Sequence, residues 1–232
     1  MDERHRTYVS PLEGRYASRE MRELFSAQRK HSIWRRLWLA LAQCQKELGL
    51  GITDEQLRQM AQHLDDVDFA RADQYERKLR HDVMAHIHAF GDVAPAARPI
   101  IHLGATSQYV NDNADLIIMR EAMGLLAGYL ANIVDALAGF AQRHRELPCL
   151  AFTHFQAAQL TTVGKRAALW AADFIRDLDD IEYRLERLEF RGVKGTTGTQ
   201  ASFLALFGGD HEKCRRQTGP GSWPAFRWCP DR

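Results

Sequence analysis

Cysteine, proline and net charge are all scarce in this sequence of 232 residues. Its four cysteines, Cys44, Cys149, Cys214 and Cys229, are scattered without a CxxC pair. That spacing argues against a disulfide framework and a zinc site, and suits free thiols in a reducing compartment, so a cytosolic setting is expected. Lys and Arg number 31 against 30 Asp and Glu, a formal charge of +1. Such a balance gives no reason to expect nucleic acid or a membrane surface as the main partner. No unbroken run of about 18 apolar residues occurs, so no membrane-spanning helix is expected. The charged start, Met1 to Arg6, has no apolar stretch behind it of the kind a signal peptide needs. Convincing strand alternation is missing too, and the expected class is all-α.

What is present is helical periodicity. Ile33, Leu37, Trp38, Leu41, Cys44 and Leu48 recur every three or four residues, and Gly49 follows as a natural stop. Thr53-Asp-Glu-Gln56 reads as a capping box opening a second helix to about His63. A third helical stretch is expected from about Val67 to Phe90, where Gly91, Pro95 and Pro99 break the chain. Ahead of these, the stretch to Glu20 reads as an extended arm.

Longer periodicity follows. Leu116, Met119, Met123, Leu126, Leu130, Ile133, Leu137 and Phe140 step by three and four, a heptad seam without a proline. About 30 residues at 1.5 Å each make a rod of roughly 45 Å. After a loop holding Pro148, a second seam runs through Leu160, Val163, Ala167, Trp170, Phe174, Leu178, Ile181, Leu185 and Leu188. Two rods joined by a loop imply an antiparallel pair within a helical bundle. A pair alone leaves much of each seam uncovered. From Cys214 onward both periodicities fade, and Pro220, Pro224 and Pro230 crowd in with Trp223 and Trp228. The chain therefore divides into an N-terminal helical domain (1–106), part of a long-helix bundle (107–213) and a divergent, disordered tail (214–232).

Four clusters could carry chemistry. Arg80-His81-Asp82 opens a stretch with His86 and His88, which reads equally as a functional cluster or a polar helix end; the spacing does not favour zinc. His102-Leu-Gly-Ala-Thr106-Ser107 suits an anion held by backbone N–H groups and hydroxyls, or a plain capping turn. Phe152-Thr153-His154-Phe-Gln156 places a histidine in the connection between the rods, where it either reaches a ligand or is merely solvated. Gly192-Val-Lys194-Gly-Thr-Thr-Gly-Thr-Gln200 reads as a flexible loop close to an anionic ligand, or as a linker; it lacks the ending of a phosphate-binding Walker loop.

Taken in order, these segments together with Ser10-Pro-Leu and Arg15-Tyr16 resemble the adenylosuccinate lyases, a family of the fumarase/aspartase superfamily. The resemblance covers about residues 8 to 213. It implies a homotetramer with active sites shared between subunits, and elimination of fumarate from adenylosuccinate and from the corresponding succinyl-carboxamide ribonucleotide. No cofactor and no metal are implied. Carried over by motif, His154 is the general acid and His81 assists it, with Arg80 and Asp82 beside it. Arg15 and Tyr16 contact the phosphate region and Thr106 and Ser107 the succinyl part, and Arg80, Asp82 and Thr153 also bind substrate.

Two departures stand out. Ala157 replaces a usual proline, a change worth about 0.4–1 kcal/mol of chain rigidity. More severely, the Ser-Ser-x-Met-Pro type loop that carries the serine base does not occur in these residues. The expectation is a chain that holds the acid without the base, inactive alone, or else a non-catalytic helical protein that pairs with full-length lyase subunits.

Overall fold

A computed structural model describes residues 8–218. The helices are α1 (Arg19–Leu24), α2 (Ala27–Glu47), α3 (Asp54–Gln62), α4 (Phe69–Leu79), α5 (Asp82–Val93), α6 (Gln108–Arg143), α7 (Val163–Arg187), α8 (Ala201–Leu206) and α9 (His211–Thr218). Strands β1 (Pro148–Thr153) and β2 (Gln156–Thr162) form an antiparallel hairpin between α6 and α7. Two compact units divide the chain, one from the described parts of Met1–Ile118 and Phe190–Arg232, the other from Met119–Glu189.

The first unit is built around α2. Ile33, Trp34, Leu37, Trp38, Leu41 and Cys44 are all buried along it. Val83, Ile87 and Phe90 from α5, Tyr109, Val110, Ala114, Ile117 and Ile118 from the start of α6, and Phe203 from α8 belong to the same core. The one charged side chain buried on α2 is Arg35. Its guanidinium lies over the Phe90 ring and bonds to the His63 carbonyl and, at 3.0 Å, to an Asp66 carboxylate oxygen, so its charge is not left unpaired. Side-chain caps define the helix starts: Ser18, Ser26, Thr53, Asp68 and His81 each accept a backbone N–H. At Thr53 the expected capping box is complete, with Gln56 reaching back to the Thr53 N–H.

Several local expectations are corrected. The single stretch from Val67 to Phe90 is two helices, because Arg80 adopts a left-handed conformation (φ 54°) and His81 caps a new start. The arm before Glu20 is coiled rather than extended, with a π-helical turn at Leu12–Tyr16 followed by α1. Cys214, placed by sequence at the start of a disordered tail, is buried within α9, and its thiol donates to the Gln200 side chain at 3.1 Å. Residues 219–232 of that tail, Cys229 included, lie outside the described residues.

In the second unit α6 and α7 run antiparallel, as the seams imply. Gly164 sits against Ala141 and Arg145 near one end, and Arg120 donates to the Leu185 carbonyl towards the other. The α7 seam residues Phe174, Leu178, Ile181 and Leu185 are half-buried, whereas Trp170 is exposed. On α6 alternate seam residues, Met119, Leu126, Ile133 and Phe140, face solvent. Contrary to the expectation of no such helix, one 18-residue stretch of α6 is apolar enough and long enough to cross a membrane by length and composition, although polar residues interrupt it. The connection between the rods, expected as a loop, is the hairpin, and α7 starts at Val163 because β2 takes the residues before it.

A side chain at position 164 has no room: an added Cβ would lie 2.4 Å from the Ala141 carbonyl oxygen. Gly164→Ala is expected to destabilise the second unit by about 1–3 kcal/mol, measured by denaturant unfolding. A second expectation concerns acid. The His31 and His86 rings stack at 3.7 Å in the first unit. Burial, reinforced by His31 and Arg35, pushes His86 down to about 3. The unfolded chain therefore takes up the proton first, so this stability is whole above about pH 6.5 and is lost as the pH falls towards 3. His86→Gln should flatten that acid limb in unfolding curves recorded between pH 7 and 4.

Candidate active site

The turn between the N-terminal helices and α6 is held from three directions. The Trp38 indole N–H donates to His102 Nδ1 at 2.9 Å, Gln45 donates to the Leu103 carbonyl at 2.9 Å, and Ser202 donates to the Gly104 carbonyl at 2.7 Å. His102 itself is left-handed (φ 65°), as is Gly104 (φ 78°), where a Cβ would lie 2.9 Å from the Phe203 ring. Glycine is required there on both counts. The turn ends with Ser107, and α6 begins at Gln108.

His81 meets that turn from α5. As the cap of α5, its Nδ1 accepts the Met84 N–H at 3.3 Å. The ring proton is therefore on Nε2, which lies 3.3 Å from Ser107 Oγ and donates to it. Ser107 Oγ keeps its own proton for another acceptor. Asp82 places a carboxylate oxygen 3.5 Å from His81 Nδ1. His102 lies within the turn itself. Burial, with a smaller push from His81, lowers it to about 4, and the Trp38 bond fixes its proton on Nε2.

The structure thus brings His81, Asp82 and Ser107 together across 26 positions of sequence, with Thr106 adjacent to Ser107. Arg80 lies on the left-handed link just before, beside Asp73, Glu76 and Arg77. Arg15 and Tyr16 are on the exposed π-helical turn, and among the described residues no hydrogen bond joins either to the His81–Ser107 pair. His86 and His88 turn away from the site: His86 stacks on His31, and His88 stacks on Tyr75.

Thr153 and His154 belong to the second unit. Thr153 pairs with Gln156, leaving His154 and Phe155 as a two-residue hairpin turn. Both are left-handed (φ 50° and 59°), the conformation in which such turns favour Asn-Gly. Phe155 is fully exposed, so neither packing nor a buried partner explains the choice of residues. A histidine and a phenylalanine thus stand at backbone positions that strain them.

His102 stands in the motif read from the sequence, but its spacing assigns it no role of its own. The turn draws attention through its hydroxyls, while the partner that fixes the histidine, Trp38, is 64 positions away and has no spacing signature. The Gly192–Gln200 segment, left open as loop or linker, is fastened to the same turn: the Thr106 N–H donates to the Lys194 carbonyl at 3.1 Å. Among the described residues no group of three or more His, Cys, Asp or Glu side chains is arranged to hold a metal ion.

Comparison with known proteins identifies the family. The adenylosuccinate lyase of Saccharomyces cerevisiae is 53% identical over 209 residues, covering 89% of this chain and 43% of its own length. That of Methanocaldococcus jannaschii is 32% identical over 197 residues, covering 84% of this chain and 42% of its own. Among solved structures, the fumarate lyase of Mesorhizobium sp. BNC1 superposes with a TM-score of 0.75 at 27% identity, covering 87% of this chain and 48% of that one. The 3-carboxy-cis,cis-muconate lactonizing enzyme of Pseudomonas putida shares the fold, with a TM-score of 0.76 at 22% identity over 89% of this chain and 48% of its own. The chain thus spans less than half the length of the relatives it matches. The family described as Lyase matches residues 25–205, which takes in His81, the 102–107 turn and the His154 hairpin alike, and the chain belongs to that family.

Proposed function

We propose that the chain supplies part of the active site of an adenylosuccinate lyase, which eliminates fumarate from adenylosuccinate to leave AMP and acts likewise on the succinyl-carboxamide ribonucleotide of purine synthesis. The observation that carries the proposal is the His81–Ser107 pair, built across 26 positions in a chain 53% identical to the yeast enzyme of that name.

In this reaction a base takes a proton from the carbon beside a carboxylate, the C–N bond breaks, and an acid protonates the leaving nitrogen. His154, presented at the hairpin tip, serves as that acid, with Thr153 next to it. Ser107, its own proton free because His81 donates to it, bonds the succinyl part together with Thr106. His81 thereby positions Ser107, and Asp82 and Arg80 border the same corner. Arg15 and Tyr16 take the phosphate end. No cofactor enters these steps. The serine-bearing loop that would supply the base is not among the 232 residues. In an oligomer, a subunit that carries that loop completes the site. Cys44 and Cys214, buried and reduced, fit a cytosolic protein.

A second reading, a non-catalytic helical protein that pairs with full-length lyase subunits, is favoured by the apolar residues that α6 and α7 expose, Leu126, Ile133, Trp170 and Ile175 among them. One experiment separates the two. The purified chain is mixed with full-length adenylosuccinate lyase inactivated in its own copy of the hairpin histidine, and fumarate release and particle mass are followed. The chain alone should release no fumarate, and the mixture should regain activity. A complex that forms without activity would favour the second reading, and activity of the chain alone would contradict the missing base.

The strained tip offers a sharper control. Replacing His154 by Asn and Phe155 by Gly should raise thermal stability, since it relieves left-handed strain of about 1–3 kcal/mol per residue. The same variant should lower the restored activity by about 100-fold or more. Undiminished complementation by a more stable hairpin would remove His154 from the role of acid.

A further inference from the structure

The Gly192–Gln200 segment has no part in the roles assigned above, yet it lines a cavity of about 280 Å3 within the first unit. Thr106, Asp112, Arg191, Lys194, Thr196 and Gly198 are among the residues that line it. The volume is below the roughly 300–1,000 Å3 typical of sites for drug-sized ligands, which suits a small group.

Its walls are fixed. The Thr106 N–H bonds the Lys194 carbonyl at 3.1 Å, the Gly195 N–H bonds the Thr199 carbonyl at 2.8 Å, and the Gly198 N–H bonds the Gly195 carbonyl at 3.0 Å. Asn113, buried on α6, holds the base of the loop: its side chain donates to the Gly192 carbonyl at 3.1 Å and accepts the Arg191 N–H at 3.0 Å. Gly198 is left-handed (φ 74°), and a Cβ on Gly195 would press on Ser202 Oγ and the Thr199 carbonyl. The segment is therefore a shaped loop and not a linker.

The charges in the cavity do not cancel. Among the described residues neither Arg191 nor Lys194 makes an ion pair or a side-chain hydrogen bond, and both are exposed to the cavity's solvent. The single carboxylate, Asp112, already accepts from Gln108 at 3.1 Å. Two unpaired cations against one engaged carboxylate, with the hydroxyls of Thr106 and Thr196 beside them, form a receptor for an oxyanion.

We propose that this cavity binds a small oxyanion, carboxylate or phosphate, with Lys194 and Arg191 as its charged donors and Thr106 as a hydroxyl donor. The proposal deepens the functional reading above, on which it rests for the identity of the ligand: Thr106 is common to both, so Lys194 and Arg191 would receive one anionic end of the substrate.

Binding is measurable without turnover. Succinate and inorganic phosphate are titrated separately into the purified chain at constant ionic strength made up with chloride, by calorimetry and by backbone amide shifts. Binding of either probe above the chloride background, with shifts at Thr106 and residues 194–198, is the expected result, and the tighter probe identifies which end of the substrate the cavity takes. Lys194→Gln should weaken it by about tenfold or more, as loss of a charge-assisted bond does. Asp112→Asn should strengthen it by removing the opposing charge. Positions 191 and 194 are on the surface, and an unchanged circular dichroism spectrum certifies each variant. The proposal is overturned if neither probe binds better than chloride, or if Lys194→Gln and Arg191→Gln both leave the affinity unchanged. Restored lyase activity with no anion binding would sink this inference alone, and anion binding with no restored activity would sink the functional reading alone.

Discussion

The hydrogen bond from the Trp38 indole to His102 is the constraint on which the first unit's chemistry depends. Trp38 is buried on α2, and its N–H would be an unsatisfied donor in the core without the imidazole. By taking that bond, His102 accepts a left-handed backbone and the 102–107 turn closes over the end of the core. Ser107 then stands where His81, capping α5, can reach it. Gln45 and Ser202 fix the same turn from α2 and α8, so its carbonyls are satisfied on the protein side and its hydroxyls remain for a ligand.

Three imidazoles of the first unit share a buried setting of this kind. His102, His86 and His31 are all held below the usual histidine range, chiefly by burial. None is suited to carry charge near neutral pH; each serves as a fixed N–H donor, an acceptor or a stacking surface. Positive charge for an anionic ligand must come from elsewhere, and the unpaired Arg191 and Lys194 of the fastened glycine loop provide it next to the same turn. The second unit follows a different logic. Its close helix contact at Gly164 and its two-stranded hairpin serve to present a strained, exposed tip bearing His154.

Much of this was legible in the sequence where the signal is local. The Thr53 capping box, the two long seams and the antiparallel pair follow from spacing of neighbouring residues, and the wording of the His81, Thr106 and His154 motifs carries the family. The hairpin was not legible, because most of its residues on both faces are exposed and no apolar alternation marks it. The break at Arg80 was hidden since left-handed positions are read from glycine or asparagine, and arginine stands there instead. The pairing of His81 with Ser107, and of Trp38 with His102, depends on tertiary contacts that no spacing encodes. The exposed half of the α6 seam shows the reverse case: the pattern announces a partner that the second unit itself does not contain.

The most direct test of the central claim, that the Trp38–His102 bond builds the 102–107 turn in advance of any ligand, is nitrogen NMR of the labelled imidazoles as a function of pH. The account predicts that His102 is a neutral Nε2–H tautomer with an unprotonated Nδ1, and that it stays so until the pH falls to about 4. Titration of His102 near 6.5, or a proton on Nδ1, would mean that the Trp38 bond is not formed and that the turn holding Thr106 and Ser107 is not built in advance.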